Sequence, residues 1–126
     1  MRTISRGELL AKLGSDNIVV VNVLAKPAYD KIRIRGSVSI PKSELVAGRW
    51  AELDKGKEVV VHCSSFQCGA SREAAELLEA KGYSVRAYEG GIKEWAEGDL
   101  PVEGTISGRQ YLEERYGKPP GLQTTS

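Results

Sequence analysis

Apolar positions in this chain fall into two patterns. Four short runs are nearly continuous in apolar or β-branched residues: Ile18–Val23, Ser37–Ile40, Glu58–His62 and Val85–Tyr88. Runs of that length suit strands buried on both faces, as in a parallel sheet. Thr3-Ile4 adds a short edge strand. Between the runs, apolar residues recur three and four apart. Leu9, Leu10 and Leu13 make one face of a helix from Arg6 to Leu13, which starts at a capping box of Ser5 and Glu8 and stops at Gly14. Pro27 to Lys31 reads as a short helix with proline in its first turn, Ser43 caps another through Leu45, and Trp50 to Leu53 forms a helical turn. Ala74, Ala75, Leu77 and Leu78 face inward from Ser71–Lys81, with Gly82 just past the end. Ile92 to Ala96 sets Trp95 on the core, and Ile106 to Tyr116 carries Ile106, Tyr111, Leu112 and Tyr116 on one side. Strands alternating with helices predict an α/β fold, a central, mostly parallel sheet with helices on both faces.

Length and charge narrow the picture. The chain has 126 residues, enough for one domain with a real core. That domain is expected over 1–118. Residues 119–126, after the helix-breaking Lys118-Pro119-Pro120-Gly121, are expected to be a flexible tail. Charged residues make up 28% and nearly balance to a net +1, which argues against a nucleic-acid partner and against a membrane surface. No apolar run approaches the roughly 18 residues of a membrane span. The start, Met1 to Leu10, has no secretory apolar core, so the expected location is cytoplasmic. Two cysteines make no disulfide framework, and both are expected as thiols.

Candidate chemistry gathers in Val59–Arg72, VVVHCSSFQCGASR. A strand ends at His62-Cys63, a polar loop follows, and a helix begins at Ser71. This places a thiol at the carboxyl end of a buried strand, where open α/β sheets put their crevices. It also places it beside the unpaired N–H groups of a helix start, which favour an anion. A cysteine so placed can ionise near neutral pH. Cys63 is therefore a candidate nucleophile, against the plainer reading of a packed core thiol. Cys68 is open to three readings: a second thiol that takes sulfur from or bonds to Cys63, the nucleophile itself, or a loop residue without a role. His62 and Cys63 alternate to opposite faces, so His62 is expected in a hydrogen-bonded core setting rather than paired with the thiol. A zinc site from His62, Cys63 and Cys68 would lack a fourth ligand and the usual spacing, and no metal is expected. Arg72 is open between anion binding and a solvated face, whereas Arg33 and Arg35 read as a solvated turn.

The order VVVHC, SREAAELLEAKGYSV, YEGGIKEW and LPVE resembles the rhodanese-like (sulfurtransferase) domains. Upstream, VVVNVLAKPAYDKIRIRGSVSIP is similar to that family's other signature, a strand, an acidic-tyrosine helix and a segment ending Ile-Pro. The likeness runs from about Ile4 to Glu103. It implies the rhodanese-like three-layer fold. It also implies a sulfurtransferase that carries sulfane sulfur as a cysteine persulfide, with no cofactor. Catalysis falls to Cys63, and the substrate-binding loop comprises Ser64, Ser65, Phe66, Gln67, Gly69, Ala70, Ser71 and Arg72. The implied partners are a small sulfur-containing anion or persulfide as donor and a thiol, cyanide or protein as acceptor. The chain departs from the family in three ways. Its loop is longer and has no Lys or Arg from Ser64 to Ser71, which weakens thiosulfate, a dianion, as donor. Asn22 and Leu24 stand where Asp and Arg are common, and Arg35 where Pro is usual. The competing functions are a cysteine phosphatase or arsenate reductase, a non-catalytic interaction module, and a Cys63–Cys68 redox switch. A phosphatase loop would end in arginine; here Gly69 or Ala70 stands in that place.

Overall fold

Valine-rich runs become strands where both of their faces can be buried, and that condition arranges this chain. The structure, a computed structural model, describes residues 2–117. Strands β1 (Arg2–Thr3), β2 (Ile18–Asn22), β4 (Val38–Ser39), β5 (Glu58–His62) and β6 (Val85–Tyr88) form one sheet in the order β1-β6-β5-β2-β4. Every pairing in it is parallel. The most apolar strand, β5, is central, with Val59, Val60 and Val61 wholly buried.

Alternation along the strands sends side chains into two cores. Val21, Val59, Val61, Val85 and Ala87 meet Leu45 of α3 (Lys42–Val46) and Ala74, Ala75 and Leu78 of α4 (Ala70–Ala80). Val20, Val60 and Tyr88 meet Leu9 of α1 (Arg6–Lys12), Trp95 of α5 (Gly91–Glu97) and Tyr111 of α6 (Gly108–Tyr116). The predicted three-layer α/β fold is the fold observed. Trp95 is anchored as well as buried: its Nε1–H donates to the Pro101 carbonyl at 2.8 Å, and its ring meets Tyr88 edge-on at 6.0 Å.

Several local expectations shift. Ile32–Ile34 is not a turn but strand β3, paired antiparallel with β7 (Val102–Gly104) as a separate ribbon. Ile32 and Ile34 are buried under it, while Arg33 lies over the Tyr29 ring at 4.8 Å. The ribbon closes tightly at Gly104, where φ is +134° and a Cβ would stand 2.4 Å from the Lys31 carbonyl oxygen. Ser5 does accept the Glu8 N–H, but Glu8 turns its carboxylate to Arg86 at 3.1 Å, so the box is half made. The complete box sits at α6, between Ser107 and Gln110. Ser43 lies inside α3, which follows Pro41 without a side-chain cap. Leu10 is exposed, as is Tyr116, which packs beneath the Lys93 ammonium instead. Helix α2 (Lys26–Lys31) holds Pro27 in its first turn, as expected. The expected tail, 119–126, lies outside the described residues, as does the break at Lys118. No helix among the described residues is long and apolar enough to cross a membrane.

Candidate active site: the cysteine loop

The loop hangs from the carboxyl end of the central strand and is held by backbone bonds from both neighbours. His62 O accepts from Val23 N–H at 3.1 Å, Cys63 O from Ile92 N–H at 3.1 Å, and Ser64 O from Lys93 N–H at 2.8 Å. The last two bonds come from the first turn of α5, so the Gly90-Gly91 turn and the cysteine loop are clamped together. Gly91 makes the approach possible. Its φ is +63°, and a Cβ there would lie 2.6 Å from Cys63 O and 2.7 Å from the Ser64 carbonyl carbon. Further along, Cys68 N–H donates to Ser65 O at 3.0 Å, which turns the loop back over its own start. Ser65 is buried, its hydroxyl bonded to Gln67 Oε1 at 3.1 Å. Phe66 stands out at 62% exposure, and Gln67 and Gly69 are exposed beside it.

Both thiols lie under this turn, in different settings. Cys63 is only 1% exposed and packs with Val61 and Ala74; its S–H donates to the Cys68 carbonyl at 3.3 Å. Burial pushes the Cys63 thiol up, and the neighbouring Cys68 side chain pushes the same way, against the Ser71 N–H and hydroxyl. Cys68 is partly exposed. Its burial alone would raise it. The Cys63 thiol, the N–H groups of Ala70 and Ser64, and the Ser64 hydroxyl outweigh that and bring it below the ordinary thiol value. The donors that favour a thiolate therefore converge on Cys68.

The remaining predicted residues divide between these roles. Ala70 opens α4 with Gly69 as its N-cap, one residue earlier than the sequence suggests. Ser71 is buried beside Cys63, whereas Arg72 points outward and pairs with Glu89 at 2.8 Å. Glu89, just before the glycine pair, carried no signal as Arg72's partner. His62 is fully buried, and its Nδ1 sits 3.2 Å from Cys63 O. A carbonyl only accepts, so Nδ1 carries the proton and Nε2 is left bare without a partner. Burial brings its pKa down to about 4, so the imidazole is neutral near pH 7. Among the described residues no group of three His, Cys, Asp or Glu could hold a metal ion.

A strand-cysteine-loop-helix clamped by a Gly-Gly turn invites comparison with known proteins. The model of the Rhodanese-like domain matches residues 5–98. The chain belongs to that family. The rhodanese-like domain is 31% identical over 106 residues to YibN of Escherichia coli, covering 81% of this chain and 72% of that one. It is also 31% identical over 100 residues to an HTH-type transcriptional regulator of Mycobacterium tuberculosis, covering 79% of this chain but spanning only 44% of the regulator's length. Among solved structures, a rhodanese-related protein of Thermoplasma volcanium superposes with a TM-score of 0.74 at 29% identity, over 82% of this chain and 98% of that one. A thiosulfate sulfurtransferase of Pseudomonas aeruginosa shares the fold, with a TM-score of 0.73 at 23% identity, over 91% of this chain and 24% of that one.

Proposed function

We propose that this rhodanese-like domain is a sulfurtransferase in which Cys68 carries the sulfur. The observation behind this is that Cys68 is partly exposed and that the Ser64 and Ala70 N–H groups, the Ser64 hydroxyl and the neighbouring Cys63 thiol all favour its thiolate. A nucleophile needs to be both ionised and reachable, and Cys68 is favoured on both counts over the buried Cys63. This exchanges the roles expected from the strand end, where Cys63 comes first. The Cys68 thiolate attacks the sulfane sulfur of a donor, the donor's sulfur–sulfur bond breaks, and its electron pair leaves with the departing group: sulfite from thiosulfate, a thiolate from a persulfide. The new Cys68 persulfide keeps its charge against the loop N–H groups, as an oxyanion hole keeps an alkoxide. Attack on the outer sulfur by a thiolate or cyanide then returns the Cys68 thiolate. Arg72 is engaged with Glu89, so the loop offers a dianion N–H groups rather than a side-chain cation. That favours an organic persulfide over thiosulfate as the natural donor.

Mass spectrometry of the intact chain after treatment with thiosulfate or an organic persulfide tests the assignment. Cys68→Ser should gain no sulfur and lose transfer to cyanide, while Cys63→Ser should still load. Loading of Cys68→Ser with none on Cys63→Ser would return the role to Cys63. Loading of neither variant nor the wild type would leave a non-catalytic module.

A further inference from the structure

We infer that Cys63 and Cys68 form a self-discharging pair: the Cys63 thiol displaces the sulfane sulfur carried on Cys68 as hydrosulfide, leaving a Cys63–Cys68 disulfide. This rests on Cys68 as the sulfur-carrying thiol.

Cys63 has little else to react with. At 1% exposure it is out of reach of external donors and acceptors, and the chain has only two cysteines. Its S–H is directed at Cys68, with the carbonyl of that residue 3.3 Å from Sγ. The turn from Ser65 O to Cys68 N–H folds the second cysteine back over the first, so the five-residue separation closes locally. Two ends already held together lose little chain entropy when they bond. A buried thiol hydrogen-bonded to the residue that carries the second sulfur is therefore set for exchange with it, not for packing alone.

The step balances as follows. Cys63 Sγ bonds to Cys68 Sγ while the bond from Cys68 Sγ to the outer sulfur breaks. The electron pair of that bond goes to the outer sulfur, which takes up the Cys63 proton and leaves as HS⁻. The two cysteine sulfurs are oxidised to a disulfide and the sulfane sulfur is reduced to sulfide. The Ser71 N–H and hydroxyl, which lie within hydrogen-bonding reach of Cys63, favour charge on that sulfur as its proton departs. An external dithiol, or two monothiols, restores both thiols. The rhodanese-like domain then releases sulfide in the absence of an acceptor, and a new round requires a reductant.

The test loads wild type, Cys63→Ser and Cys63→Ala anaerobically with thiosulfate, without added thiol, and follows free sulfide and intact mass. Wild type should release about one sulfide per chain and settle about 2 Da below its reduced mass, while both variants load more slowly, lacking the Cys63 thiol beside Cys68, then hold about 32 Da of added sulfur and release less than about a tenth as much sulfide per loaded chain. A wild type that holds its added sulfur and releases no sulfide overturns the discharge and leaves the transfer reading intact. So does release from either Cys63 variant at the wild-type rate. No added sulfur on any form, from thiosulfate or from an organic persulfide, overturns the transfer reading and the discharge with it.

Discussion

At the scale of single residues, the site depends on who surrounds each sulfur. Two thiols five positions apart have opposite tendencies because one is packed among Val61 and Ala74 and the other, partly exposed, is favoured as thiolate by the Ser64 and Ala70 N–H groups. Gly91 is the residue on which this arrangement turns, because the loop and α5 approach through the space a side chain would fill. Gly91→Ala combines a positive φ with a clash against the Cys63 and Ser64 backbone. Its cost should exceed about 1 kcal/mol of stability. Persulfide loading should fall at least about tenfold, the equivalent of about 1.4 kcal/mol of barrier. Stopped loading assays beside a denaturant titration check both, and a variant that loads at the wild-type rate would show that the clamp does not set the cradle. Arg72 belongs to this scale too. Its place in the first helical turn leaves substrate anion and solvent open, and the structure shows it exposed and paired with Glu89, seventeen positions on.

At the scale of elements, most strands and helices were legible because burial leaves a local trace. The run Val59–Val61 and the 3.6-residue spacing of Ala74, Ala75 and Leu78 each describe the surface they meet. Helix α4 bears most on the proposed function, since its first turn supplies the Ala70 and Ser71 N–H groups and its inner face ties that turn to the sheet. Leu78, wholly buried in that face, should lose about 2–5 kcal/mol of unfolding free energy on truncation to Ala. Urea denaturation followed by circular dichroism reads the change; a loss under about 1 kcal/mol would mean the face collapses around the gap. The β3–β7 ribbon left no such trace. Three residues are too few to show a period, and their partner lies some seventy positions away. The half-made box at Ser5 has a similar cause: a long-range ion partner, Arg86, drew Glu8 away from the local bond.

At the scale of the whole molecule, His62 links the site's scaffold to pH. Its folded pKa, about 4, is depressed from 6.5, so between these values the unfolded chain binds a proton that the folded chain does not. Stability from this group is fully present above about pH 6.5, falls as pH drops toward 4 and levels off below, a loss of a few kcal/mol in all. Melting temperatures from pH 7.5 to 4 should decline across that window with one proton taken up on unfolding. A flat profile from 6.5 to 4.5 would place the imidazole in contact with solvent. By itself the sequence determined the α/β class, the central place of the cysteine strand and the loop that holds both thiols, because patterning and turn residues act over a few neighbours. The tertiary structure decided that Cys63 is buried and Cys68 partly exposed. It also decided that Arg72 pairs with Glu89 and that β3 finds β7. The last two join groups from distant parts of the chain; the cysteine settings arise among near neighbours, yet burial and charge pairing exist only once the chain has folded.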